Sequence, residues 1–210
     1  TAAIATESFM AEVVAFCDVH KILLIHDFPY VDMVFGSYEA PSVLTQPGGI
    51  GTAIELYSCS KSFHMGGFRI GWAIGNEDAI AALSQIKGAI DFNQYLGIQR
   101  AAVAALAEPR ERVQRDAAIY EARRDVLVET LNDAGWPTPM PKASMYVWTG
   151  LPSGHDDSLA FCLSLARETG VCLAPGRAFG PGGEGYVRFA LVREPAVMER
   201  AVERIRDFLV

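Results

Sequence analysis

What this 210-residue chain lacks narrows its role first. It has four cysteines, Cys17, Cys59, Cys162 and Cys172, and none forms a C-x-x-C pair. Neither a zinc site nor a disulfide framework is expected from such spacing, and buried reduced thiols in a cytoplasmic protein are the expected state. The four histidines also lack ligand spacing, so no metal is expected. Positive charge is in deficit: 18 Lys and Arg stand against 25 Asp and Glu, a net charge of -7. Without a basic stripe the chain has no attraction for phosphate backbones, and nucleic acid is not an expected partner. No apolar run approaches the roughly 20 residues of a membrane span, so no membrane partner is expected either. The sequence begins with Thr1 rather than methionine, shows no signal peptide, and enters a helical pattern near Thr6. It reads as a chain cut in its middle.

What is present is abundant apolar residue, half of the chain, enough for a sizeable core. Phe9, Met10, Val13, Val14, Phe16 and Cys17 recur at helical spacing behind Thr6 as N-cap, predicting a helix to His20. Lys21 to Asp27 predicts a short buried strand of a parallel sheet, ending in a carboxylate. A Pro-, Gly- and Ser-rich segment follows from Phe28 to Gly51, a length usually reserved for functional or disordered loops; Tyr30, Phe35, Tyr38 and Leu44 favour order. Strands are expected over Thr52 to Ser58 and Phe68 to Ile74. Helices are expected from Asn76 to Ala89, from Gln94 to Ala107 (Ala-rich, therefore closely packed), and from Pro109 to Ala134. Beyond the breakers Gly135, Pro137, Pro139 and Pro141 come strands near Met145 to Trp148, Val171 to Ala174 and Tyr186 to Leu191, with helices near Asp157 to Thr169 and from Pro195. Alternating strands and helices in the first part predict an α/β layer fold with a mainly parallel sheet, followed by a smaller α+β unit. The boundary is placed in the long helix, near Glu108 to Tyr120, dividing the chain into residues 1–110 and 111–210.

The chemistry gathers at the ends of the predicted strands. In open α/β sheets, ligands sit beyond the carboxyl ends of parallel strands. Asp27 lies at one such end, where a carboxylate can pair with a ring nitrogen and keep it protonated. Lys61 lies just past the next, between Ser60 and Ser62 and ahead of Gly66-Gly67. A lysine there, desolvated and close to Arg69, is favoured as the neutral amine, the form that makes a Schiff base with an aldehyde. The hydroxyls of Ser58 and Ser60 and the guanidinium of Arg69 suit a phosphate. Taken singly, these residues have duller readings: a loop cap for Asp27, a packed aromatic for Tyr30, a solvated lysine, and ion pairs for Arg69 and Arg188.

Their order is more specific than any one of them. The run Ser58-Cys59-Ser60-Lys61-Ser62-Phe63-His64-Met65-Gly66-Gly67-Phe68-Arg69-Ile70-Gly71, preceded by Asp27-Phe28-Pro29-Tyr30 and followed by Arg188 in Tyr186-Val187-Arg188-Phe189, resembles the class I/II aminotransferases of fold type I. The local wording is most similar to the alanine, aspartate and LL-diaminopimelate aminotransferase branch. The resemblance implies a pyridoxal 5'-phosphate (PLP) cofactor. It assigns Lys61 to the internal aldimine and to proton transfer at the substrate Cα, Asp27 to the pyridine nitrogen and Tyr30 to the 3'-oxygen. It assigns Ser58, Ser60 and Arg69 to the phosphate, and Arg188 to the substrate α-carboxylate. Gly66, Gly67 and Gly71 are expected to let the backbone turn beside the cofactor. The implied reaction is transamination between an α-amino acid and a 2-oxo acid in a homodimer. A β-lyase, decarboxylase or synthase on the same fold, or a non-catalytic binding remnant, are the alternatives. Thr1 falls at the threonine of the family's Asn-Pro-Thr-Gly motif, with Ala2 in the place of its glycine, so the strands and the ring-stacking aromatic that precede this motif lie outside the sequence.

Overall fold

The computed structural model describes residues 1–209. The chain divides into two compact units: residues 4–117, and residues 118–210 joined by Thr1–Ala3.

In the first unit, α1 (Glu7–His20) starts where the Thr6 hydroxyl accepts the Phe9 amide, and ends at Lys21 in the left-handed region. β1 (Leu24–Asp27), β2 (Ala53–Ser58) and β3 (Gly71–Gly75) form a sheet in the order β1-β2-β3. β1 and β2 are parallel, with Asp27 opposite Leu56. β3 runs antiparallel to β2, with Gly71 opposite Ser58. Between β1 and β2 the Pro- and Gly-rich excursion is ordered. Tyr38 donates its hydroxyl to the Ala5 carbonyl at 2.9 Å, and a short 3-10 turn at Val43–Thr45 precedes α2 (Gly49–Thr52). A four-residue helix, α3 (Cys59–Ser62), follows β2 directly. Helices α4 (Glu77–Ile90, capped by Asn76), α5 (Leu96–Leu106) and the start of α6 (Arg110–Asp133) complete the unit.

Two expectations are corrected here. β1 is an edge strand rather than a buried one: Ile25 is 57% exposed, because no strand lies beyond it in the described sheet. α5 is not closely packed: Ala102 alone is buried, and Val103 and Leu106 face outward. Small residues permit close packing, but they do not supply the surface to pack against.

The second unit owns a continuous core. α6 ends in a left-handed Gly135, where the Trp136 amide donates to the Leu131 carbonyl. β4 (Tyr146–Gly150), β5 (Ala174–Pro175) and β6 (Tyr186–Ala190) make an antiparallel sheet in the order β4-β6-β5. α7 (Ser158–Thr169) is capped by Asp157, whose carboxylate accepts the Leu159 and Ala160 amides, and α8 (Pro195–Leu209) closes the fold. Leu131, Trp136, Val147, Leu165, Val187 and Ile205 sit at its centre. Trp136 packs edge-on against Phe161 and Phe189, and its indole N–H is satisfied by the Gly150 carbonyl at 2.7 Å.

Among the described residues no helix is long and apolar enough to cross a membrane, and no cluster of His, Cys, Asp and Glu could hold a metal. Cys17, Cys59 and Cys162 are buried free thiols, and burial pushes the Cys162 thiol up to about 11. Cys172 departs from the expectation of burial and is exposed.

Candidate active site

Parallel pairing of β1 and β2 is what brings the two ends together. With Asp27 opposite Leu56, the chain leaves β1 at Asp27 and leaves β2 at Ser58 on the same edge of the sheet. The turn after β1 carries Tyr30. Its carbonyl accepts the Met33 amide at 2.9 Å. The turn after β2 is α3, which carries Lys61. The Lys61 Nζ lies over the Tyr30 ring, 5.2 Å from its centroid. A cation or amine above an aromatic face is weakly attracted without being consumed by an ion pair.

Ser58 caps α3. Its hydroxyl oxygen accepts the Ser60 amide at 3.1 Å, and lies 3.5 Å from the Ile70 carbonyl. The Cys59 amide also reaches the Ile70 carbonyl at 3.2 Å, so the residue after Arg69 is tied to the start of the lysine helix. Arg69 itself is exposed, adopts a left-handed φ of 53° and donates Nη1 to the Gly66 carbonyl at 3.0 Å. His64, with φ 54°, approaches Asp116 at 3.3 Å. The three glycines have separate reasons. A Cβ on Gly71 would stand 2.3 Å from the Tyr57 carbonyl, so its small size serves the β2–β3 pairing rather than a ligand. Gly66 and Gly67 have open space around them and no positive φ.

Below this edge lies a feature that the strand pattern did not single out as functional. Glu55, in the middle of β2, is fully buried. Its carboxylate accepts from His26 Nδ1 (2.9 Å), the Ser42 hydroxyl (2.9 Å), the Val43 amide (2.8 Å) and the Tyr57 hydroxyl (2.5 Å). Burial pushes its pKa up, but the four hydrogen bonds outweigh that and leave it lowered. Burial and the Glu55 carboxylate together push the Tyr57 phenol upward. The signal was in the sequence: a carboxylate inside Ala-Ile-Glu-Leu-Tyr is costly unless paired.

Arg188 belongs to the second unit. It lies on β6 opposite Trp148 of β4 and Ala174 of β5. Its guanidinium lies over two rings, 4.0 Å from the centroid of Tyr146 and 4.2 Å from that of Phe179. A guanidinium stacked on aromatic rings keeps its N–H edge available for a planar oxyanion. Ala2, where the resemblance calls for glycine, has a φ of 53°, a conformation that glycine adopts at least cost.

The donor set fits PLP. Among the described residues neither the Lys61 amine, the Ser60 hydroxyl nor the Asp27 carboxylate has a hydrogen-bond or ion-pair partner. An amine, hydroxyls, a guanidinium and a carboxylate therefore stand on one sheet edge, matching an aldehyde, a phosphate and a pyridinium nitrogen.

Comparison with known proteins agrees. Residues 1–205 match the family of class I and II aminotransferases. LL-diaminopimelate aminotransferase 2 of a Nostoc species is 42% identical over 207 residues, 99% of this chain and 53% of that protein. The glutamate-pyruvate aminotransferase AlaC of Escherichia coli is 40% identical over 200 residues, 94% of this chain and 48% of that protein. The structure of a probable N-succinyldiaminopimelate aminotransferase from Thermus thermophilus superposes with a TM-score of 0.92 at 45% identity, covering 98% of this chain and 55% of that one. The chain thus spans about half the length of the relatives it matches. It belongs to the class I and II aminotransferases, PLP-dependent proteins of fold type I.

Proposed function

We propose that the protein carrying this chain exchanges an amino group between an α-amino acid and a 2-oxo acid, with Lys61 as its central residue. The observation that carries this is the Lys61 amine, set by α3 over the Tyr30 ring at 5.2 Å on the sheet edge where Asp27 ends β1. When bound, PLP supplies a carbonyl for an amine and an electron sink for the bonds at Cα. In this reading Asp27 holds the ring nitrogen and keeps it protonated. Tyr30 donates to the 3'-oxygen. Ser58, Ser60 and Arg69 hold the phosphate. Lys61 would hold the cofactor's aldehyde, and its free amine would take the proton from the substrate Cα and hold it for return. Arg188, packed against the rings of Tyr146 and Phe179, takes the α-carboxylate. The two-domain reading goes with this: residues 1–110 as the later part of a cofactor-binding large domain, and 111–210 as a small domain.

The test is the visible spectrum of the intact protein with PLP, before and after glutamate. A lysine-bound band that bleaches with glutamate, and is missing in Lys61→Ala, is expected. A persistent band with every amino donor would remove transamination, and no band would remove Lys61. Arg188→Ala should raise the KM for amino acid and 2-oxo acid together by about 100-fold, the loss of a charge-assisted bidentate contact.

We also propose a homodimer. Ile86, Ile90, Phe92 and Tyr95 are 60%, 77%, 81% and 77% exposed, large apolar side chains close in sequence that a second copy can cover. Sedimentation should find a dimer, and Phe92→Asp with Ile90→Asp should yield monomer. A cytoplasmic location is supported by four unpaired cysteines; cell fractionation checks it.

A further inference from the structure

Glu55 has no part in the roles assigned above, yet it is 0% exposed and accepts four hydrogen bonds. A buried carboxylate is poor economy for stability alone, since a well-packed apolar residue commonly does as well. Its partners show what else it does. His26 immediately precedes Asp27 on β1, and its ring is held between the Glu55 carboxylate and a stacked Phe28, 4.2 Å between centroids. Because the carboxylate only accepts, this contact assigns the imidazole proton to Nδ1. Ser42 and Val43 lie in the later half of the excursion that carries Tyr30, at the start of its 3-10 turn. Tyr57 stands one residue before Ser58, its ring stacked on Trp72 at 5.5 Å and 6°. One carboxylate therefore ties three stretches of backbone: the strand end that leads into Asp27, the strand end that leads into Ser58, and the excursion that begins with Tyr30.

We propose that Glu55 is a positioning residue that sets the mutual spacing of Asp27, Tyr30 and Lys61; as a statement about catalysis this rests on the PLP reading of Lys61. Glutamine can replace it: Oε1 still accepts the Val43 amide and His26, while the amide N–H donates to hydroxyls of Ser42 and Tyr57, which can turn to accept. Leucine cannot, and leaves the Val43 amide unpaired.

The test compares Glu55→Gln and Glu55→Leu in the intact protein. Two readouts are needed: hydrogen exchange of the Val43 amide without cofactor, and PLP affinity with the pH midpoint of its lysine-bound band. Glu55→Leu should speed Val43 exchange and weaken PLP binding, each by about 10-fold or more, and move the midpoint by about half a unit, as expected for lost hydrogen bonds near a titrating group. Glu55→Gln should stay within about 2-fold on both. Wild-type affinity and midpoint in Glu55→Leu, whatever its melting temperature, overturn the proposal. Should Glu55→Leu not fold, Ser42→Ala and Tyr57→Phe each remove one donor and should give smaller shifts in the same direction; none from either variant would overturn it too. If wild-type protein shows no band, the Lys61 reading falls separately. Val43 exchange then decides: faster in Glu55→Leu and rescued in Glu55→Gln supports the spacing role, and unchanged exchange ends it.

Discussion

The two units of this chain solve the burial problem differently. Residues 118–209 gather fourteen buried side chains into one cluster around Trp136, Leu131 and Val187. Residues 4–117 have only two small clusters, one around Val14 and Val43 and one around Cys59 and Met65, while Phe9, Phe16, Ile25, Ile90, Phe92 and Val103 remain exposed. α4 has no fully buried side chain. Yet the candidate PLP residues all lie in the unit with the thinner core, and only Arg188, the candidate for the substrate carboxylate, lies in the other. Within these 210 residues, about half the length of the relatives, the lysine edge is ordered by caps, register and the Glu55 network, without a deep core beneath its helices.

The strongest way to break this contrast is to cut the chain. Residues 118–210 alone should fold cooperatively with dispersed amide resonances, whereas residues 4–117 alone should associate through the open β1 edge and exposed apolar faces, as light scattering would reveal. A folded, monomeric 4–117 fragment would end the comparison. Next in size, Trp136→Ala in the 210-residue chain should cost about 3–5 kcal/mol of stability in urea titration. Val19→Ala, at a position 74% exposed, should cost less than about 0.5 kcal/mol. Helix caps sharpen the point further. Asp157→Ala and Asn76→Ala each remove a cap worth about 1 kcal/mol. The first should lower global stability, because α7 is anchored by Phe161 and Leu165; the second should appear only as faster amide exchange in α4.

The smallest expected effect is in acid. The folded pKa of Glu55 lies below its usual 4.5, because hydrogen bonds from Tyr57, His26, Ser42 and Val43 outweigh burial. Its contribution to stability is therefore complete above the unfolded value and is lost as pH falls from about 4.5 through the lowered one. Glu55→Gln should flatten the acid limb of the urea midpoint against pH. An unchanged limb would place the acid sensitivity in other carboxylates.

Local signals were legible in the sequence, and distant ones were not. Thr6 and Asn76 announced helix starts, because a cap acts within three residues. Asp27 and Lys61 could be put at strand ends from apolar runs alone. What failed was burial: the run at Leu23 to Ile25 reads as covered, but hydrophobicity reports a tendency, and whether a neighbour covers it depends on other chain segments. The Glu55 cluster joins residues 12, 13 and 29 positions apart, and Arg188 meets Tyr146 from another strand. No periodicity encodes such meetings.

The stacked pair of Tyr57 and Trp72 carries one more consequence. Trp72 follows Gly71, the residue opposite Ser58, and the only other tryptophans, Trp136 and Trp148, are in the other unit. Its indole is therefore a built-in lamp beside the lysine edge. A bound chromophore absorbing in the near ultraviolet should quench its emission, so that fluorescence of the Trp136→Phe, Trp148→Phe protein follows occupancy of that edge in real time, even when no turnover takes place.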